Sequence, residues 1–213
     1  LVLEVNLKRA RKLLFLGAHS DDIEIGCGGT ILTLAGADPG RNVLWIVFSA
    51  EGKRRQEARS SALRFLRGVK GTSVVVKQFR GSYFPAQIDR VKTYFETLKS
   101  FEPDIVFTHY REDRHQDHRL LSDLAWNTFR NHLILEYEVP KYDGDLGVPN
   151  FFVPLKAEVS RRKAQNIWNG FPSQKSKHWF SEDTFLALMR LRGMECGAEY
   201  AEAFYCRKMV YRR

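Results

Sequence analysis

Histidine and aspartate residues are concentrated in two short segments of this sequence. The first segment covers residues 19–22, and the second runs from His109 to His118. Imidazole nitrogens and carboxylate oxygens are the ligands that suit a catalytic zinc ion, and iron or manganese with less selectivity. The two segments therefore predict a catalytic metal site, provided that the fold brings them together.

Each segment follows a short apolar run that predicts a buried strand. Residues 13–16 are apolar and end at Gly17, and residues 103–108 end at His109. In open parallel sheets, ligands bind at the carboxyl ends of strands, so both segments are expected at one edge of the same sheet. An isolated His-x-x-Asp pair is more often a solvated turn that caps a helix. A second segment in an equivalent position favours the metal site.

The first 139 residues alternate apolar strands with helical patterns. Glycines 26, 28 and 29 predict a turn that leads into an apolar helix from Ile31. The alternation predicts an α/β fold, with a Rossmann-like, doubly wound, mostly parallel sheet and helices on both faces. Further strands are predicted at 42–49, 72–79 and 134–139, and helices at 54–68, 88–98 and 116–130.

The pattern changes after Pro140, where a polar, turn-rich segment begins. A short strand at 151–155, two helical patterns at 156–169 and 182–193, and a final apolar stretch at 201–210 follow it. Because no flexible linker separates these elements from the rest, residues 1–213 are predicted to form a single domain. Residues 1–139 form its core, and residues 140–213 form a cap and C-terminal elements whose loops shape the pocket.

Composition excludes several classes of protein. A chain of 213 residues with 44% hydrophobic residues can bury a full core, and no apolar run approaches the roughly 20 residues that a membrane helix needs. The N-terminus lacks the continuous apolar region of a signal peptide. It also lacks an initiator Met, which leaves open the loss of a targeting segment.

Three cysteines without C-x-x-C spacing predict reduced thiols and a cytoplasmic location. Cys27 is expected to pack in the turn rather than to bind metal.

The net charge of +9 predicts attraction to anionic partners. The basic residues are scattered and do not alternate with aromatic residues, so a nucleic-acid platform is not expected. A phosphate-bearing small molecule remains a candidate partner, and self-association to a homo-oligomer is left open.

The second segment has a geometry of its own. If a helix begins near Gln116, His115 and His118 lie three residues apart at its N-terminus and face the same side. Asp117 points elsewhere but is close enough to accept a hydrogen bond from an imidazole N–H. A helix N-terminus also favours negative charge, such as that of a developing oxyanion.

Both segments resemble the motifs of one enzyme family. The family is the PIG-L/LmbE-like family of zinc-dependent N-acetylglucosaminyl deacetylases. Its AHPDD motif is similar to Ala18-His19-Ser20-Asp21-Asp22, which is followed here by the glycine-rich stretch that ends at Thr30. Its HxDH motif is similar to His115-Gln116-Asp117-His118. Arg192-Gly193 and residues 200–204 also resemble bacterial members. Ser20 takes the position of the family's proline, which is expected to change loop stiffness without removing a ligand.

The resemblance implies a role for each residue of the two motifs. His19, Asp22 and His118 would hold zinc, or another divalent ion such as Fe²⁺. Asp21 would be the general base that activates water, and His115 would stabilise the oxyanion. Asp117 would fix the tautomer of His115. Either the His115 imidazolium or protonated Asp21 would supply a proton to the departing amine. The implied substrate is an N-acetylglucosamine-type sugar on a nucleotide, lipid or small carrier.

Other residues and functions are weaker expectations. Arg54, His109 and Tyr142 are candidates for substrate contacts, as is Lys163, and Asp113 either orients a ligand histidine or is a solvated charge. A dinucleotide-binding G-x-G-x-x-G loop is not expected, since Ile31 stands where its third glycine would be. A metal-dependent phosphoesterase, another amide or ester hydrolase, and a nonenzymatic anion-binding protein remain alternatives.

Overall fold

A seven-stranded sheet organises the part of the chain that the computed structural model describes, residues 4–210. Residues 1–3 and 211–213, the two ends of the predicted domain, lie outside it. The first five strands are parallel, and β7 runs antiparallel to both of its neighbours. The order is β3-β2-β1-β4-β5-β7-β6. The strands are β1 (Lys12–Gly17), β2 (Asn42–Val47), β3 (Gly71–Val76), β4 (Ile105–His109), β5 (Leu133–Tyr137), β6 (Phe151–Leu155) and β7 (Tyr200–Tyr205).

Helices cover both faces of this sheet. They are α1 (Asp22–Ala37), α2 (Gly52–Phe65), α3 (Ile88–Thr97), α4 (Gln116–Thr128), α5 (Ala157–Gly170) and α6 (Glu182–Glu195). Residues of α1, α2, α5 and α6 share one apolar core with Phe15 of β1. Residues of α3 and α4 share the other with Leu14 and Leu16. Burial on both faces favours apolar side chains on both sides of the central strands, which explains the continuous apolar runs of β1 and β4. The predicted fold class is confirmed.

The sheet has a crevice where the chain reverses its direction of winding. From β1 the chain proceeds to β2 and β3 on one side, whereas β4 pairs with the opposite edge of β1 and leads to β5. Loops at the carboxyl ends of such neighbouring strands separate and leave a binding crevice. Residues 18–21 follow β1 and residues 110–115 follow β4, so both histidine- and aspartate-containing segments meet there.

The C-terminal third does more than cover the core. Strands β6 and β7 extend the sheet beyond β5, while α5 packs against α1 and α2. The loop of residues 171–181, between α5 and α6, supplies Gln174, Lys177 and Trp179 to the cavity over the crevice. No helix in the described residues is long and apolar enough to cross a membrane.

The glycine-rich stretch lies inside a helix, so the predicted turn before Ile31 is wrong. Helix α1 begins at Asp22 and continues through all three glycines, with one irregular residue at Cys27, where φ is −142°. A Cβ atom at Gly26 would lie 2.6 Å from Cγ of Tyr137, and one at Gly29 would lie 2.5 Å from Cδ1 of Leu155. These glycines allow close packing against the sheet, and that packing outweighs their low helix propensity.

Replacing Gly26 with alanine is expected to lower the free energy of unfolding by about 2 kcal/mol or more, because the ring of Tyr137 has to move. Gly36 of the same helix is the matched control, since a Cβ atom there meets no atom within 4 Å. The Gly36→Ala variant should be unchanged or more stable by up to about 1 kcal/mol. Urea unfolding followed by circular dichroism measures both variants, and equal effects would contradict the packing explanation.

A buried ion pair bridges the kink in α1. Glu202 of β7 accepts hydrogen bonds from the backbone N–H groups of Gly29 (2.7 Å) and Thr30 (2.6 Å). Lys163 of α5 donates to the carbonyl oxygen of Ile25 (2.7 Å) and to Glu202 (2.6 Å). The pair thus satisfies backbone groups on both sides of the irregular residue. Lys163, a candidate for substrate contact, is only 3% exposed and does not line the cavity over the crevice.

Candidate active site

The three predicted metal ligands present their donor atoms to one another in the crevice. Nδ1 of His19 lies 3.2 Å from Nε2 of His118 and 3.4 Å from Oδ2 of Asp22, and the last two atoms are 3.4 Å apart. Donor atoms of one tetrahedral zinc ion, with bonds of about 2.0–2.1 Å, are separated by about 3.3 Å. The three side chains therefore form a triangle that fits one such ion.

The elements of the fold position each corner of this triangle. His19 lies in the turn after β1, and Asp22 is the first residue of α1. Oδ2 of Asp22 accepts a hydrogen bond from the backbone N–H of His19 at 2.7 Å, which ties the two corners together. His118 is in the first turn of α4, at the end of the loop that follows β4.

Carboxylates behind the triangle orient both histidine rings. Nδ1 of His118 lies 2.9 Å from Oδ2 of Asp113, and Nε2 of His19 lies 3.1 Å from Oδ2 of Asp117. Asp113 is paired in turn with Lys141 at 2.9 Å. A carboxylate on one ring nitrogen fixes the tautomer and leaves the other nitrogen free to bind a metal. Of the two interpretations of Asp113, the structure favours the orienting one.

The carboxylate of Asp117 contacts a different histidine from the one that the sequence indicated. Its carboxylate meets His19, not His115, and also accepts hydrogen bonds from the backbone N–H groups of Ser82 (2.6 Å) and Phe84 (3.0 Å). Ser82 adopts a left-handed φ of 64° in the loop after β3. That loop could not be placed next to α4 from the sequence, so the carboxylate of Asp117 was expected to contact His115; the contact that exists between these two residues is made by the backbone N–H of Asp117.

The charges around the triangle favour a cation. Burial alone would lower the pKa of His19, but the charge of Asp22 and the hydrogen bonds to Asp117 and Asp22 raise it to about 10. Burial alone would raise the pKa of Asp22, but the charges of His118, His19 and His109 hold it well below its usual range. Ionised carboxylates with a stabilised positive charge between them are the electrostatic setting of a metal site.

Asp21 lies beside the triangle and lines the cavity. Burial raises its pKa, although the nearby Arg54 guanidinium acts in the opposite direction. Arg54 donates one hydrogen bond to Oδ1 of Asp21 and another to Oγ of Ser20, both at 3.0 Å. A proline at position 20 would have no hydroxyl group to accept the second of these bonds. Ser20 therefore helps to hold the arginine that contacts Asp21.

His115 also lines the cavity and caps α4. Its Nδ1 accepts a hydrogen bond from the backbone N–H of Asp117 at 3.2 Å, and this assigns the proton of the neutral ring to Nε2. Burial and the positive charges of His118 and His19 lower its pKa. A neutral ring that donates through Nε2 follows from this arrangement.

Two candidates for substrate contact lie outside the cavity, which has a volume of about 530 Å³. The ring of His109 is fully buried and accepts a hydrogen bond from the backbone N–H of Ala18 (2.9 Å), and it does not line the cavity. Tyr142 is 69% exposed and packs near His178 instead. Arg54 does line the cavity. The structure therefore places Arg54 at the cavity, but neither His109 nor Tyr142.

A second triad of potential ligands, Asp22, His109 and His118, lies close by. The N–H of Ala18 already engages the Nε2 lone pair of His109. Burial and the charge of His118 also lower the pKa of His109 to about 4, so this ring stays neutral. The triangle of His19, Asp22 and His118 is the better ligand set.

Sequence reasoning missed several residues that line the cavity. Arg80 precedes the loop residue Ser82, and Gln174, Lys177 and Trp179 come from the loop of residues 171–181. Neither loop has a regular spacing or a motif that marks these side chains. Only the tertiary arrangement brings them to the crevice.

Comparison with solved structures supports the fold assignment. The chain is similar to N,N'-diacetylchitobiose deacetylase from Pyrococcus horikoshii in complex with its inhibitor MPG, with a TM-score of 0.71, 23% identity, and coverage of 93% of this chain and 84% of that one. It is also similar to GalB, the 4-carboxy-2-hydroxymuconate hydratase from Pseudomonas putida KT2440, with a TM-score of 0.71, 16% identity, and coverage of 95% of this chain and 98% of that one. A third similar structure is the zinc-inhibited form of teicoplanin deacetylase Orf2, with a TM-score of 0.68, 18% identity, and coverage of 91% of this chain and 97% of that one. Identities this low indicate a shared fold.

The family follows from the sequence itself. The model of the PIG-L family, described as GlcNAc-PI de-N-acetylase, matches residues 14–129. This match spans more than half of the 213 residues and includes both histidine- and aspartate-containing segments. The chain therefore belongs to the PIG-L family, as its motifs had indicated.

Proposed function

We propose that this protein is a metal-dependent hydrolase that removes the N-acetyl group from an N-acetylglucosamine-type amino sugar conjugate. The observation that carries the proposal is the triangle of His19, Asp22 and His118, which opens with Asp21 and His115 into one cavity. Membership of the PIG-L family and the fold shared with two deacetylases support it. The three free cysteines agree with a cytoplasmic location.

His19, Asp22 and His118 would hold the metal, which we take to be zinc or another divalent ion such as Fe²⁺. Three protein ligands with one position left for water or substrate are typical of catalytic rather than structural zinc sites. A bound ion of this kind activates water at neutral pH and polarises a carbonyl group. Asp113 and Asp117 are positioning residues in this proposal, because each orients one ligand ring.

Asp21 is the proposed general base. Arg54 engages its Oδ1, so we assign Oδ2 to accept the proton from the attacking water. The oxygen of that water adds to the acetyl carbonyl carbon, and the C–N bond then breaks. Protonated Asp21 returns the proton to the departing amine, and acetate is the second product. A pKa that burial has raised is suited to both steps, since the group must first accept and then donate the proton.

His115 is proposed to stabilise the carbonyl oxygen as it gains negative charge. Its Nδ1 accepts a hydrogen bond from the backbone of Asp117, so only Nε2 of the neutral ring donates. A donor at a helix N-terminus is well placed to stabilise an oxyanion. Protonation of Nδ1 would break the capping bond. Protonated Asp21 is therefore the better donor to the amine than a His115 imidazolium.

Acetate release tests this function directly. The metal-loaded protein is expected to release acetate from at least one member of a panel of N-acetylglucosamine conjugates, and to lose that activity when a chelator removes the ion. The panel should include a phosphate monoester and a carboxylic ester, because a phosphoesterase or another hydrolase is the alternative on the same site. Because the hydratase GalB shares the fold, the shared fold alone does not fix the reaction. Turnover of only the esters would overturn the deacetylase proposal.

A further inference from the structure

The cavity over the metal site carries an uneven distribution of positive charge. Its lining includes four cationic side chains, those of Arg54, Arg80, Lys141 and Lys177. Arg54 is paired with Asp21, and Lys141 with Asp113. Arg80 and Lys177 form no ion pair with any carboxylate of residues 4–210. Two positive charges at the cavity are therefore left without a protein counterion.

Arg80 is held in place although it has no anionic partner. Its guanidinium carbon lies 3.6 Å from the centroid of the Tyr83 ring. Gln87 fixes its backbone from both sides, because its side chain accepts from the N–H of Arg80 (3.2 Å) and donates to the carbonyl oxygen (2.9 Å). A cation that is already ordered loses little conformational entropy when it binds an anion.

Lys177 reaches the cavity from the loop of residues 171–181. Its ammonium group lies 5.9 Å from the centroid of the Trp179 ring, and its backbone N–H donates to the carbonyl oxygen of Gln174 (2.9 Å). Glu51 also lines the cavity, but it pairs with neither Lys177 nor Arg80. Two separate loops thus bring unpaired cations to the same cavity.

On the basis of the proposed deacetylase function, we propose that Arg80 and Lys177 bind an anionic group, a phosphate or a carboxylate, that the substrate carries beside its amino sugar. A guanidinium group matches two oxygens of such an anion, and an ammonium group adds a compact point charge. The pair would select conjugates with a charged carrier over neutral glycosides.

Binding of deacetylated products tests this inference without any turnover. Calorimetry on the zinc-loaded protein compares glucosamine 1-phosphate, carboxymethyl glucosaminide and methyl glucosaminide, with inorganic phosphate as a fourth probe. Wild type should bind at least one of the two anionic glycosides about tenfold more tightly than the neutral one, as expected for hydrogen bonds to charged groups. The two anionic probes distinguish phosphate from carboxylate. Equal affinity for all three glycosides would overturn the proposal.

Variants identify the residues that give the preference. Arg80→Met and Lys177→Met should each lower the preference for the anionic glycoside about fivefold or more. Arg90→Met and Lys175→Met are matched controls, because each cation also lies over an aromatic ring but neither lines this cavity. An anion preference that survives in both test variants would place the anion on the metal and overturn the assignment.

The same ratio can be measured in turnover, as kcat/KM for anionic against neutral acetylated conjugates. If no conjugate releases acetate but the product preference and its loss in both variants persist, the deacetylase proposal fails and the anion site stands. If acetate is released without any anion preference, the anion site fails and the deacetylase proposal stands.

Discussion

Replacing Asp21 with asparagine is expected to lower kcat for acetate release by about 100-fold or more, the usual contribution of a general base. The variant should still bind one divalent ion, because residue 21 is not one of the three proposed ligands, His19, Asp22 and His118. Asparagine has nearly the same shape and is equally suited to the N-cap position that Asp21 takes in α1. Steady-state kinetics and metal content by mass spectrometry measure the two properties separately.

The neighbouring carboxylate is the matched control for this prediction. Asp22→Asn is the same chemical change one residue later, but Oδ2 of Asp22 lies 3.4 Å from both histidine donor atoms. That variant should lose the metal and, with it, the activity. If both variants keep the metal and differ little in rate, the assignment of base and ligand is incorrect.

Glu202→Gln is expected to lower the free energy of unfolding by about 3–5 kcal/mol, the usual cost of breaking a buried ion pair. The change leaves Lys163 buried without its counterion. The carboxylate of Glu202 accepts hydrogen bonds from the backbone N–H groups of Gly29 and Thr30. In the glutamine variant, an amide N–H₂ group, which cannot accept, faces one of these two donors. Urea unfolding in the presence of a chelator measures the effect apart from any stabilisation by bound metal.

Glu199→Gln is the control for the loss of one negative charge. Glu199 is exposed and lies three residues before Glu202, so its replacement should change stability by no more than about 0.5 kcal/mol. If the Glu202 variant is as stable as this control, Glu202 and Lys163 do not hold the two halves of α1 together.

The positions of the site residues along the chain were predictable because strand ends are marked in the sequence. The apolar runs before His19 and His109 both proved to be parallel strands, β1 and β4, which are neighbours in the sheet. A parallel sheet brings the carboxyl ends of its strands to one edge, so the convergence of the two segments followed from the strand assignment.

Several features in and around these segments could not be predicted, because they depend on contacts between residues that are distant in the sequence. The glycines of α1 have low helix propensity, and only contacts with strands that are distant in the sequence, of Gly26 with Tyr137 and of Gly29 with Leu155, explain why the helix needs glycine there. Likewise, the choice between His19 and His115 as the partner of the Asp117 carboxylate depends on where the loop with Ser82 lies. Lys163 resembles an exposed basic residue until Glu202 is placed beside it.

The division of the cavity between two parts of the chain has a consequence for how such enzymes diverge. Every side chain that we assign to the hydrolytic step lies within residues 14–129, the part that matches the family model. Gln174 and Trp179 reach the cavity from outside that part, on the loop of residues 171–181. Mutations in this loop can alter which molecules enter without disturbing the residues that cleave them. We therefore expect that an exchange of this loop between family members changes the substrate preference and leaves the residues assigned to hydrolysis in place.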